Sequence, residues 1–465
     1  MHPVKRKKIF MFRNRLQLQF STWSSIFKDQ VLNKVVYFQV FNGLSAGTYS
    51  VLIMLYIQYL DTGLGGNIYF AHYAIYYLVG SLTNAALLYP AGIFADKFGR
   101  KPALVIGAWL LALNGFIPPF ATVWWQLLPA SVMSSAGLAL FSPAQGAIVA
   151  DVSTGYRREK SYSVVYFITT GFTTVGLAIF SIYAAVYEAA EATASFYQLM
   201  LLISAFLGLG AVVPILLLKN PEGKTRKPIE ESARTLKEAD KQKESFEVPA
   251  ELRRNGVVIK LLVINLLIGL GAGFVIPLFT YYWTGVFSLS DSTTTLITML
   301  GYVGLVFASM FTPWIAKRAK VLGGRIGTIV IFEGVSIICA GYLAIAPYQI
   351  NFNSAILYAA TAAYIARMVL MNAVSPLTSA LLMDHSPTQK RGLYNALISI
   401  AFGVPNGAAP IFTYFYYNSV QPPYGFTYPI AILVFLYTIS AIIYATIKKA
   451  DGPVLLGKEP LVREH

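Results

Sequence analysis

Twelve stretches of this 465-residue chain are apolar for roughly the 20 residues that a membrane crossing takes, and that pattern excludes most other architectures. The first six run from Val35 to Leu60, Ile68 to Phe94, Ala103 to Phe120, Val123 to Val149, Tyr162 to Tyr187 and Leu199 to Leu218. The second six run from Val257 to Trp283, Thr293 to Ile315, Ile326 to Ala346, Ser354 to Met383, Leu393 to Tyr417 and Thr427 to Ile447. Lipid offers the backbone no hydrogen-bond partner, so a spanning segment is a helix or belongs to a closed barrel. These runs lack the polar alternation of barrel strands, which leaves helices. With 56% hydrophobic and only 12% charged residues, a soluble fold of this size is excluded. The expected fold is an all-α membrane protein with 12 transmembrane helices in two six-helix bundles.

The net charge of +15 invites a nucleic-acid reading, but its distribution argues against one. With the N-terminus inside, the tails and inner loops hold 34 of the 36 Lys and Arg residues. The outer loops hold none and carry Asp61, Glu188, Glu191 and Asp291. This positive-inside asymmetry predicts a multi-pass protein of the cell membrane with both termini cytoplasmic. The basic excess then reflects orientation in the bilayer, with no nucleic-acid partner. The two remaining cations are Lys260, near an inner helix end, and Arg367, deep within a span.

The predicted divisions are a tail over 1–34, a bundle over 35–218, a linker over 219–256, a bundle over 257–447 and a tail over 448–465. The linker carries 10 basic and 8 acidic residues with Pro221, Pro228 and Pro249, a composition for a mobile or partly helical connector. Residues 9–34 mix aromatic and basic side chains, and an interfacial helix and a solvated tail both remain open. The halves repeat each other. Ser142-Pro143, Asp151, Arg157 and Arg158 return 233 positions later as Ser375-Pro376, Asp384, Lys390 and Arg391. Gly43 and Gly47 return 226 positions later as Gly269 and Gly273, with Gln39 matched by Asn265 and Tyr56 by Tyr282. Duplicated bundles place a substrate site at their interface.

The loop after the second span reads Gly92-Ile93-Phe94-Ala95-Asp96-Lys97-Phe98-Gly99-Arg100-Lys101. It resembles the signature of the major facilitator superfamily, at the position where that family carries it, and Asp384, Arg391 and Gly392 repeat it after span ten. The resemblance implies a secondary transporter whose two halves rock around a central cavity. It also implies a latch at the cytoplasmic side built from Gly92, Asp96, Gly99, Arg100 and Lys101, with Asp151, Asp384 and Arg391 as partners. The alternative is that Lys97, Arg100 and Lys101 only set topology. Proton-coupled drug exporters of the family carry an arginine in span four where this chain has Ser131, and a Gly-Pro pair in span five where it has Gly171 and Gly176. Both departures count against drug–proton antiport.

By the same resemblance, spans one, four, seven and ten line the cavity. Gln39, Asn42, Ser131, Ser134, Asn265, Arg367 and Met371 are therefore the expected substrate-binding residues. In span four, Ser131, Ser134, Ser135, Leu138, Ser142 and Gln145 share one helical stripe, and the repeat places Arg367 on the mirrored stripe of span ten. A guanidinium near the bilayer centre costs at least about 2.5 to 3.5 kcal/mol, so it faces a watery cavity or a partner. Two roles stay open for Arg367: holding an anionic or carbonyl-bearing substrate, or pairing with Glu333, the acidic residue well inside span nine. Glu333 is the expected coupling carboxyl. His72, in span two near the outer surface, is either a proton relay or an interfacial hydrogen-bonding residue.

Other classes fit poorly. Gly223-Lys224-Thr225 imitates the end of a phosphate-binding loop, but Leu218 stands where its first glycine is required. The single cysteine, Cys339, rules out an intramolecular disulfide and a cysteine-ligated metal. No spacing of the four histidines suggests a metal or catalytic centre, so neither an enzyme nor a cofactor is expected. The expected function is movement of a small organic solute by alternating access, with protons as the default driver and a monomer in the lipid bilayer as the working unit. Export of lipophilic drugs by proton antiport and a sensor built on the same scaffold are the alternatives.

Overall fold

The computed structural model describes residues 29–61, 68–152, 156–188, 194–218, 256–318, 324–349, 355–385, 391–420 and 424–447. The expected tail and linker segments 1–28, 219–255 and 448–465 lie outside the described residues. Twelve helical segments follow one another: α1 (Leu32–Leu60), α2 (Ile68–Phe98), α3 (Arg100–Leu113), α4 (Leu128–Val152), α5 (Tyr156–Glu188) and α6 (Ala194–Leu216) come first. Then come α7 (Gly256–Val275), α8 (Asp291–Arg318), α9 (Gly324–Gln349), α10 (Ala355–Ala373), α11 (Arg391–Ser419) and α12 (Thr427–Ala445). Eleven segments among the described residues are long and apolar enough to cross a membrane. The twelfth, α2, is 31 residues long but carries Tyr69, Tyr73, Tyr76, Tyr77 and Asn84, which lower its apolarity.

Local chemistry sets the ends and breaks. Asp29 caps α1, its carboxylate accepting from the Val31 and Leu32 amides at 2.9 and 3.0 Å. The expected loop from Gly92 to Lys101 is a correction: α2 continues through Lys97 to Phe98, and the turn contracts to Gly99. Gly99 has φ 97°, which a side chain disfavours, so the glycine is what permits so abrupt a reversal into α3. The duplicated Ser-Pro pairs also part company. Pro143 sits inside continuous α4, whereas α10 stops at Val374 and a second segment, Ser375–Asp384, begins with Pro376 in its first turn.

Packing obeys the repeat. Helix α1 packs on α5 and α6, and α7 packs on α11 and α12. The pairs α2–α4, α3–α4 and α3–α6 recur six helices later as α8–α10, α9–α10 and α9–α12. Only small residues let α1 meet α5, and α7 meet α11, backbone to backbone. A Cβ at Gly43 would lie 2.7 Å from the Thr169 carbonyl of α5, and one at Gly47 would overlap that of Thr173. Gly269 and Gly273 face Phe402 and Asn406 of α11 in the same manner. The matched tyrosines agree as well: Tyr56 donates to the Ala121 carbonyl and Tyr282 to the Leu343 carbonyl, each at 2.7 Å. Gly47→Val and Gly273→Val should each destabilise the protein by about 1 to 3 kcal/mol or more through overpacking. Thermal unfolding in detergent checks this. A melting temperature unchanged in both variants contradicts the close approach.

The two halves meet along α2–α11 and α5–α8. One end of the bundle carries Lys34, Arg100, Lys101 and Arg325 and is called the basic end; the other carries Asp61 and Asp291. At the acidic end one apolar core takes residues from both halves, Tyr56, Phe70 and Phe180 packing into the same cluster as Tyr281, Trp283 and Tyr417. At the basic end the described residues form two separate cores. Phe38, Leu104, Phe141 and Val212 belong to one, and Val258, Ile329, Leu381 and Tyr444 to the other. The halves are sealed together at the acidic end, and among the described residues no apolar cluster is shared between them at the basic end.

Candidate functional site

The seal is built from aromatic rings and a few inter-half hydrogen bonds. Phe70 of α2 lies against Tyr281 at 5.2 Å and Tyr417 at 5.7 Å between ring centroids, and Tyr69 meets Tyr281 edge-on at 5.2 Å. Such pairs add directional attraction to the burial of ring area. Tyr197 of α6 donates to the Asp291 carboxylate at 3.1 Å, and Ser181 of α5 donates to the Ser292 carbonyl at 3.0 Å. Nearer the middle of the bundle, Tyr77 of α2 donates to the Asn406 side-chain carbonyl of α11 at 2.6 Å. The Asn406 amide in turn donates to the Gly269 carbonyl of α7 at 3.4 Å. Tyr49 of α1 and Tyr76 of α2 share a hydrogen bond at 3.0 Å. Hydroxyl and amide groups thus join α2 to α11, α11 to α7 and α1 to α2.

Tyr77→Phe removes one neutral inter-half bond, a contact worth about 0.5 to 1.5 kcal/mol. The population closed at the acidic end should fall by up to roughly tenfold relative to the open one. Electron–electron distance measurements between spin labels at the basic ends of α4 and α10 read this directly, and an unchanged distribution assigns the bond no such role.

The expected binding residues separate into two groups. Gln39 is buried on α1 and accepts from the partly exposed Asn42 amide at 3.5 Å. Asn265 is partly exposed on α7, its amide donating to the Leu261 carbonyl at 2.8 Å. Ser134 on α4 is partly exposed, and Met371 on α10 packs partly buried against the acidic-end core. Ser131 is 4% exposed and gives its hydroxyl proton to the Tyr76 carbonyl at 2.7 Å, a bond between α4 and α2. A buried hydroxyl needs such a partner.

Arg367, for which the sequence leaves a cavity role and a pairing with Glu333 open, is 2% exposed on α10. The guanidinium carbon sits 5.6 Å over the Phe279 ring and 5.8 Å over the Tyr437 ring, with a hydrogen bond of 3.2 Å to the Tyr437 hydroxyl. Aromatic faces lower the energy of a desolvated cation, so the side chain turns to α7 and α12. Glu333 on α9 is fully buried and accepts from Ser440 of α12 at 3.3 Å. Its other oxygen and the Arg367 Nε lack hydrogen-bond partners. The two charged residues thus share one buried interface, α9–α10–α12, bridged by Tyr437 and Ser440 on a single face of α12.

His72 belongs elsewhere. It forms an ion pair with Asp61 at 2.8 Å and stacks on Trp124 at 4.0 Å, pinning the acidic ends of α1 and α2 to the segment before α4. That geometry suits the interfacial hydrogen-bonding role that the sequence leaves open beside a proton relay. Of the latch residues, Gly92 has no described atom within 4 Å of where a Cβ would stand, and Gly99 makes the α2–α3 turn into Arg100 and Lys101. The side chains of Asp96, Asp151, Asp384 and Arg391 lie outside the described residues.

The model of the Major Facilitator Superfamily matches residues 39–410. The chain belongs to that superfamily. Facilitator membership marks a multi-pass transporter, not an enzyme. Among solved structures, a D-xylose–proton symporter superposes with a TM-score of 0.68 at 15% identity, over 89% of this chain and 97% of that one. A peptide transporter of the POT family gives 0.64 at 12% identity, over 91% and 96%, and a nucleoside transporter gives 0.58 at 11%, over 90% and 98%. Likeness at these identities concerns the fold. A multidrug resistance protein of Proteus mirabilis, MdtH, is 34% identical over 74 residues, which is 16% of this chain and 18% of that relative. The homologous protein of Photorhabdus laumondii matches at 35% over the same length.

Proposed function

We propose that this facilitator is a secondary active transporter that moves a small organic solute across the plasma membrane by alternating access, driven by protons. The observation that carries the reading is the unequal joining of the halves: one shared core at the acidic end, two separate cores at the basic end. That is the arrangement of a cavity open to one side only, and rocking about α2–α11 and α5–α8 would open it to the other. The basic end is taken as cytoplasmic, with both termini there and a monomer as the transporting unit, because the cationic residues concentrate at that end. Gln39, Asn42, Ser134, Asn265 and Met371 are assigned to the cavity wall, and Glu333 with Arg367 to coupling. Asp96, Arg100, Asp151, Asp384 and Arg391, with Gly99 and Lys101 at the turn and Gly92 within α2, are assigned to closing the basic end in the opposite state.

Reconstitution into proteoliposomes tests this. The expected result is solute counterflow, with net accumulation when a pH gradient is imposed. Ligand binding without counterflow would favour a sensor. Accumulation that ignores the pH gradient would reject the proton while leaving the transporter. A second reading, export of lipophilic compounds, draws on the similarity to the multidrug resistance protein. Drug-dependent proton release from loaded vesicles discriminates it from uptake.

A further inference from the structure

We infer that the cavity is uncharged at membrane depth and takes an electrically neutral solute that combines apolar surface with hydrogen-bonding groups. The inference rests on the alternating-access reading and names its substrate class. The side chains assigned to the walls and roof of the cleft offer amides and hydroxyls: Asn42, Tyr49 and Asn265, with Tyr77 and Asn406 above them. Among the described residues, the acidic and basic side chains well inside the spans are Glu333 and Arg367, at 0% and 2% exposure. Both are walled off by the α9–α10–α12 interface, and the Arg367 cation is covered by Phe279 and Tyr437. His72 and Asp61 satisfy each other at the acidic end, outside the cleft. Lys260, on the basic end of α7, reaches instead to the Thr446 carbonyl beyond α12.

A charged solute at membrane depth would lose hydration without meeting an opposite fixed charge among the described residues, a penalty of roughly a hundredfold in partition. A neutral solute with donors and acceptors can exchange into these amide and hydroxyl bonds without carrying charge out of water, and tyrosine rings accept its flat apolar faces. Charge selection would have to come from Arg367 or Glu333, and neither presents its charged group to the cleft. The preference for an organic anion that the position of Arg367 in the sequence implies is thereby reversed.

The test uses cysteine reactivity, since the natural chain has the single Cys339. In full-length protein carrying Cys339→Ala, Asn42→Cys or Asn265→Cys is exposed to three methanethiosulfonates: anionic sulfonatoethyl, cationic trimethylammonioethyl and neutral methyl. Rates are divided by those on a small free thiol. The expected result is rates for the two charged reagents within about threefold of each other, and both at least about tenfold slower than the neutral reagent. A preference of about tenfold for the anionic reagent that Arg367→Gln removes would put that cation in the cavity and overturn the inference. The opposite preference, removed by Glu333→Gln, would overturn it from the other side. Two introduced cysteines that both resist every reagent in a monodisperse, cooperatively melting protein would also overturn it, by taking both residues off the cleft wall. Counterflow is measured on the same preparations. A charge-selective cleft with intact counterflow sinks this inference alone, whereas absent counterflow in the Cys339→Ala parent sinks the transport reading.

Discussion

Gly407→Trp should abolish transport while leaving each helix bundle folded. Gly407 on α11 faces Ser81 on α2, and a Cβ there would overlap the Ser81 side chain. The contact lies in the α2–α11 seam, one residue beyond the Tyr77–Asn406 hydrogen bond. An indole has no room at this position unless the halves separate at the acidic end. Overpacking by a few methylenes already costs about 1 to 3 kcal/mol, and a bicyclic ring is far larger. Inverting a two-state equilibrium from 1:99 to 99:1 takes about 5.5 kcal/mol, a scale such a wedge reaches. The cavity should stay open at the acidic end, with flux down by at least roughly a hundredfold. Reagents that cannot cross the membrane should then label Asn42→Cys from the opposite side. Gly403→Trp, one turn earlier on the same helix, is the control, because nothing lies within 4 Å of a Cβ there. Wild-type flux in Gly407→Trp would show that the seam does not close during the cycle.

Much of this architecture is legible in the residues because lipid removes alternatives. Twelve apolar runs have to be helices, and the pairs Gly43/Gly269, Gly47/Gly273 and Tyr56/Tyr282 announce a duplication that the packing repeats contact for contact. The signature around Asp96 and Arg100 points to the family. Side-chain direction is what the sequence withholds. The position of Arg367 on a helical stripe fixes its Cα, but whether its long side chain reaches the cleft or bends back onto Phe279 and Tyr437 depends on rings from two other helices. Ser131 shares the stripe of Ser134, yet the neighbouring Tyr76 carbonyl claims its proton. Asn406 escaped notice for the opposite reason: a single amide in a run read as apolar looks incidental until Tyr77, 329 residues away in the chain, is brought against it. A polar residue beside Pro405 within span eleven was the available signal.

Glu333→Gln should separate transport from its driving force. The Glu333 carboxyl is fully buried, receives one hydrogen bond from Ser440 and has one oxygen without a partner. No salt bridge reaches it among the described residues, and an ionised carboxylate left so would carry an unpaired buried charge costing several kcal/mol. The conformation open at the basic end is therefore suited to the neutral acid. Proton coupling requires that the other conformation expose Glu333 to water or bring it to the Arg367 guanidinium, so that the proton leaves there. Glutamine has the shape of the neutral acid and cannot lose that proton. The variant should fold, keep the Ser440 contact and continue to exchange solute for solute. It should fail to accumulate solute against a gradient. One proton per solute and a difference of one pH unit support about 1.4 kcal/mol, or tenfold accumulation, in the wild type, against none in the variant. Tenfold accumulation retained by Glu333→Gln would remove this carboxyl from coupling. Loss of both exchange and accumulation, with thermal stability unchanged, would instead make Glu333 part of the rocking motion itself.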